Sequence, residues 1–211
     1  GYGDPDESGP GHMASQLARG AFFRRPIIFE GDEYWSDVIS LLQFSEASGS
    51  TSVTDAADAS PKPAWTFRAT AQVSSGQSKF GNNLLGTYDG SGVYNNVDAL
   101  DSNLGTHDFT ANGWTIDCWW RCVTDSAVNP VFHIGNASGD YVQLQATSGL
   151  AGLQLSSVGQ SPQFATQTLA TSLSVGVWYY LRLVVTSTGE WYLSKNAALL
   201  GSGSDLVWNG S

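Results

Sequence analysis

Positive charge is what this chain has least of. Its 211 residues hold 9 Lys and Arg against 19 Asp and Glu, a net charge of −10, and only 13% of residues are charged at all. Nucleic-acid binding needs clustered bases to meet phosphates, and docking on an anionic membrane surface needs the same. Both are excluded as expectations. No apolar run reaches the roughly 20 residues of a membrane helix, and no stretch has the pattern of a signal peptide. Cysteine is scarce too, with two residues. Cys118 and Cys122 lie four apart in a strand-like run, about 13 Å along an extended backbone, too far to bridge each other. They read as small buried apolar residues. No further Cys or His stands at the spacing of a zinc site.

Catalytic residues are also thin. Glu190 is the only glutamate after Glu46, and no Glu-x-Asp-x-x-Glu pattern occurs. Retaining glycoside hydrolysis needs two carboxyls flanking one bond. The histidines are His12, His107 and His133. His107 reads as a loop residue and His133 as a strand residue that packs or faces solvent. No Gly-x-Ser-x-Gly elbow sits between a strand and a helix. The chain is expected not to be an enzyme.

What is abundant is turn and strand material. There are 24 Gly, 8 Trp, 8 Tyr and 9 Phe. Val38–Phe44 reads as a buried strand, followed by a Ser/Gly/Thr/Asp-rich loop over 45–63. Alternating or β-rich runs follow at Trp65–Ala71, Trp114–Val123, Pro130–Ile134, Tyr141–Gln145, Gly152–Ser156, Val177–Val185 and Trp191–Leu193. Short strands separated by Gly/Ser/Asn turns predict an all-β sandwich or barrel. No helical period persists over ten residues.

Residues 1–33 read as an arm before a sandwich over 34–211. Gly11-His12-Met13-Ala14-Ser15 fits a cloning scar as well as native residues exposed by processing, so residues 1–12 carry no argument. The run Phe22-Phe23-Arg24-Arg25-Pro26-Ile27-Ile28-Phe29 is too apolar for a free tail. It packs along its own sandwich or anchors on a neighbouring subunit, and the anchor is the expectation carried forward.

Side-chain parity divides two of the strands into faces. Trp114, Ile116, Cys118, Trp120 and Cys122 share one face, expected inward; Asp117, Trp119 and Arg121 share the other. Tyr179, Leu181, Leu183 and Val185 are expected inward, with Trp178, Tyr180 and Arg182 outward. If both strands belong to one sheet, a single outer face carries Asp117, Trp119, Arg121, Tyr180 and Arg182. Aromatic planes beside charged donors suit a pyranose; rings covered by a loop, the arm or a neighbouring subunit are the plainer alternative.

Four segments, in order, carry a family resemblance. Ser78-Lys79-Phe80-Gly81 with Leu84-Leu85 and Tyr88-Asp89-Gly90-Ser91-Gly92-Val93-Tyr94 is the first. Asp108-Phe109 followed by Gly113-Trp114-Thr115-Ile116-Asp117-Cys118-Trp119-Trp120 is the second. Val177-Trp178-Tyr179-Tyr180-Leu181-Arg182-Leu183-Val184-Val185 and Gly189-Glu190-Trp191-Tyr192-Leu193-Ser194 complete the set. Together they resemble the laminin G-like, concanavalin A-like jelly rolls of bacteriophage tail, fibre and capsid-decoration proteins.

The resemblance implies two antiparallel sheets and a virion component assembled with other subunits or copies of itself. A host-surface glycan is the alternative ligand, with a secreted module as the alternative setting. It also implies Ca²⁺ as the one ion to test for, with Asp89, Asp98 and Asp101 as oxygen donors in loops, although Asp is a common turn residue in any case. Family members continue into a closing strand beyond the equivalent of Leu206-Val207-Trp208. The sandwich is therefore expected to lack that strand, with the arm or a neighbour covering the edge.

Overall fold

The computed structural model describes residues 38, 40–57, 64–67, 72–76, 78–80, 83–85, 87–88, 94–95, 97–100, 113–125, 129–135, 141–159 and 164–206. Of residues 64, 66–67, 83–85, 87–88, 94–95, 97–100 and 135 it describes the backbone alone. The chain divides into two units, Gly1–Ser36 and Asp37–Ser211, and every described residue belongs to the second. The arm and its residues Phe22, Phe23, Arg24, Arg25, Ile27, Ile28 and Phe29 lie outside the described residues. So do Asp89 and Asp101.

The described residues form fourteen strands and one short 3₁₀ turn, Ser148–Leu150. The first six are short: β1 (Ala64–Phe67), β2 (Gln72–Ser74), β3 (Asn83–Leu85), β4 (Thr87–Tyr88), β5 (Tyr94–Asn95) and β6 (Val97–Leu100). They pair as two-stranded ribbons β1–β6, β2–β3 and β4–β5. The remaining eight are β7 (Trp114–Arg121), β8 (Asn129–Gly135), β9 (Tyr141–Ala146), β10 (Gly152–Val158), β11 (Gln167–Ala170), β12 (Trp178–Val185), β13 (Trp191–Lys195) and β14 (Ala198–Gly203). They build two antiparallel sheets of four strands, ordered β11-β10-β9-β8 and β14-β13-β12-β7.

The two sheets share one core, an arrangement compatible with a β-sandwich. Val142, Leu144 and Ala146 of β9 and Leu153 and Leu155 of β10 are buried from one side. Tyr179, Leu181, Leu183 and Val185 of β12 and Trp191 and Leu193 of β13 are buried from the other. Every second residue points inward because strand side chains alternate. Truncating a fully buried leucine such as Leu181 to Ala would cost about 2–5 kcal/mol. Trp120 of β7 ties the layers together by donating its indole N–H to the Pro130 carbonyl of β8 at 2.9 Å. At the other edge β14 meets β11 so closely that a Cβ on Gly201 would lie 2.6 Å from Leu169 Cδ2.

Gly113 enters β7 with φ 69°, and a Cβ there would come 2.5 Å from the Val185 carbonyl oxygen. Glycine alone meets both conditions.

Among the described residues of the expected strand Val38–Phe44, none lies in a strand. Leu42 makes a single bridge to Asp55, and Phe44 takes φ 50°, which no strand continues through. Asp55 organises this segment instead. Its carboxylate, in a residue only 6% exposed, accepts from the Leu41 amide, the Ser40 hydroxyl, the Ala57 amide and the Trp65 indole. Residues 49 and 50 then exchange backbone hydrogen bonds with Val73 of β2.

Candidate functional site

β7 and β12 are neighbours in one sheet, so the condition set by parity is met. Their register sets Arg121 opposite Trp178, Trp119 opposite Tyr180 and Asp117 opposite Arg182. Trp114, Ile116, Cys118 and Trp120 turn toward the core and Asp117 and Trp119 away from it. Tyr179, Leu181, Leu183 and Val185 are buried, with Trp178 and Tyr180 half-buried and Arg182 exposed on the opposite side.

The outer face carries a connected row of rings and charges. Trp119, 41% exposed, lies 5.3 Å from Tyr180 between centroids, the planes tilted by 42°. Phe80, 71% exposed, meets Trp119 edge-on at 5.6 Å. The Lys79 ammonium sits 4.1 Å from the Trp119 centroid and 5.6 Å from that of Phe80. Such cation–ring contacts contribute about 0.5–1 kcal/mol at exposed sites.

Next along the strands, Arg182 grips Asp117 through two parallel bonds, Nε to Oδ1 at 2.6 Å and Nη2 to Oδ2 at 2.9 Å. Its guanidinium lies 5.7 Å from the Tyr180 ring. The bond to Asp117 holds the Arg182 guanidinium well above its ordinary value. Burial, and then Asp117, push the Tyr180 hydroxyl up.

Lys79, Trp119, Trp178, Tyr180, Asn196 and Ala197 line an open concavity of about 430 Å³. Asn196 and Ala197 form the two-residue turn between β13 and β14, with φ 50° and 67°. Two positive φ values mark the turn type that matches strand twist in hairpins. Asn196 also extends the sheet past β13. Its amide donates to the Tyr180 carbonyl at 2.8 Å and its Oδ1 accepts from the Tyr180 amide at 3.0 Å.

Of the five residues expected on this face, Trp119, Tyr180, Asp117 and Arg182 form one contiguous group. Arg121 shares the face, but its guanidinium runs toward Gly176, where an added Cβ would lie 3.3 Å from Nη2, and it does not line the concavity. Lys79, Phe80, Asn196 and Ala197 were not among the sequence candidates. Lys79 and Phe80 reach the site from a segment about 35 residues before β7, a juxtaposition that strand parity does not encode. Asn196-Ala197 carries a weak turn signal that says nothing of where the turn docks.

Asp117 has no second carboxylate across the sheet; Arg182 occupies that position. Among the described residues no group of three His, Cys, Asp or Glu could hold a metal ion. Asp98 lies in β6 opposite Thr66 rather than in a loop. The cysteines are free thiols. Burial, with Asp117 next to it, pushes the Cys118 thiol up to about 12.

No protein-family model matches the chain, and no curated protein matches it. Among solved structures, the binding domain of Paraclostridial Mosquitocidal Protein 1 is similar, with a TM-score of 0.56 and 10% identity over 81% of this chain and 41% of that chain. The chain thus spans less than half the length of that structure. At 10% identity the likeness concerns the fold alone: all-β, with two four-stranded antiparallel sheets.

Proposed function

We propose that this chain is a non-enzymatic binding module whose ligand is a saccharide, held on the outer face of β7 and β12. The carrying observation is the concavity itself, in which the rings of Trp119, Trp178 and Tyr180 converge with the Asn196 amide. Its volume of about 430 Å³ falls within the range of small-ligand sites. Aromatic planes take the apolar face of a pyranose, and Asn196, Arg182 and Asp117 offer donors and acceptors for its hydroxyls. The name of the similar structure, a binding domain, agrees with this reading without assigning a ligand.

A glycan array followed by titration of the best ligand is the test. Trp119→Ala and Tyr180→Ala should each weaken binding at least about tenfold, the loss of roughly 1.4 kcal/mol. Undiminished binding by both variants would sink the reading.

The four-motif resemblance favours a setting for such a module: a jelly-roll subunit of a phage tail, fibre or capsid decoration. Residues 1–33 would act as its assembly arm and the sandwich would face outward. Symmetric oligomers that bind phage particles are the expected result. A stable monomer with no affinity for particles would remove this setting and leave the saccharide site standing.

A further inference from the structure

We infer that the saccharide taken by this face carries a single negative charge on the sugar that stacks against Trp119, and that Lys79 recognises it. This rests on the saccharide reading above and names the class of sugar.

Lys79 is the only charged side chain among the six residues lining the concavity. Its ammonium is held by the Trp119 and Phe80 rings and has no carboxylate partner among the described residues. On the same face, Asp117 is already engaged by Arg182 through two hydrogen bonds. Among the described residues, the concavity therefore offers one positive charge without a carboxylate partner.

That charge also lies over the ring a sugar would use. A neutral pyranose stacking on Trp119 must displace the ammonium and return it to water, forfeiting the cation–ring attraction. A sugar bearing a carboxylate or sulfate displaces the same ammonium but pairs with it beside the rings. Charge-assisted hydrogen bonds are about twice as strong as neutral ones, so the exchange favours the acidic sugar.

The rest of the chain limits how much charge the ligand carries. The net charge is −10, and a field of that sign repels a polyanion approaching from solution. One local cation within an acidic protein fits one acidic group, not a run of them.

The test is an array of matched pairs, each acidic saccharide beside its neutral form. Sialyllactose with lactose and glucuronosyl with glucosyl disaccharides supply carboxylates. Singly sulfated lactose with lactose supplies a sulfate ester, and heparin oligosaccharides supply polyanions. Singly charged members should bind at least about fivefold tighter than their neutral forms, with the carboxylate and sulfate arms separating the two sources. Lys79→Gln should bring that ratio to parity, and Lys79→Arg should keep it.

Equal binding within every pair, or a preference that survives Lys79→Gln, overturns this inference and leaves the saccharide site intact. Heparin binding more tightly than every singly charged saccharide overturns the single charge. Failure of every saccharide to bind overturns both the site and its charge preference.

Discussion

Arg182 faces Asp117 across the β7–β12 ladder and donates two parallel hydrogen bonds to its carboxylate, at 2.6 and 2.9 Å. The geometry is that of a planar fork on a carboxylate. Water reaches both, however, with the Arg182 side chain 48% and the Asp117 side chain 38% exposed. Exposed pairs contribute less than about 1 kcal/mol, and salt screens them. A double-mutant cycle of Asp117→Asn and Arg182→Gln should therefore give a coupling below about 1 kcal/mol in urea melts, falling toward zero near 1 M salt. A larger, salt-insensitive coupling would show that the pair acts as a structural element of the sheet.

Asp55 should behave differently, because it is buried. Burial alone would raise its carboxyl; the hydrogen bonds from Leu41, Ser40, Ala57 and Trp65 outweigh that and hold it below the ordinary 3.8. A carboxyl whose folded value is lowered stabilises the folded state above its unfolded value. That stabilisation is lost as pH falls through the folded value. Asp55→Asn should cost about 1–3 kcal/mol at pH 7, since a donating amide replaces an acceptor within a ring of donors. The difference from the unsubstituted protein should shrink below pH 3.8. Hydrogen exchange of the Leu41 and Ala57 amides at pH 7, 5 and 3 would measure it locally. A difference independent of pH would remove Asp55 as the cause.

These two carboxylates differ in how far the sequence announced them. Asp117 was legible because β7 and β12 alternate cleanly, with Trp114, Ile116, Cys118 and Trp120 inward on one and Tyr179, Leu181, Leu183 and Val185 inward on the other, so parity alone places Asp117, Trp119, Tyr180 and Arg182 outward. Their meeting was legible only as a condition, since register is set by pairing and not by either strand alone. Asp55 was hidden inside a loop composition, and its neighbour segment read as a strand because Val38-Ile39 and Leu41-Leu42 supply apolar residues at strand density. The positive φ of Phe44 and the capture of the Leu41 amide by Asp55 decide otherwise. Lys79 and Asn196 reach the concavity by tertiary approach, which no periodicity records.

The cysteines should be chemically quiet. Cys122 is buried, and burial with Asp125 nearby pushes its thiol up. Cys118 is pushed up to about 12. Thiolate is the reactive form, and both thiols are held protonated at neutral pH. Iodoacetamide at pH 8 should leave both unmodified in the folded protein and alkylate both in denaturant, as read by intact mass. Rapid labelling of Cys118 without denaturant would mean that the core face of β7 opens readily.

Ala197 brings stability and binding into conflict at one position. Its φ of 67° puts a Cβ where L-residues pay about 1–2 kcal/mol, and hairpin turns of this type favour Gly after Asn. Ala197→Gly relieves that strain but returns about 0.4–1 kcal/mol through the freer unfolded chain. The net expectation is a gain of about 0.5–1 kcal/mol in urea melts. The same methyl lines the concavity beside Trp178 and Tyr180, and Gly would leave the turn that closes one side less fixed. Strain retained beside a site is expected where it holds a ligand-contacting geometry. Ala197→Gly should therefore raise the urea midpoint while weakening saccharide binding by about threefold, roughly 0.6 kcal/mol. A variant that gains stability and loses no affinity would show that the strain at Ala197 serves the hairpin alone.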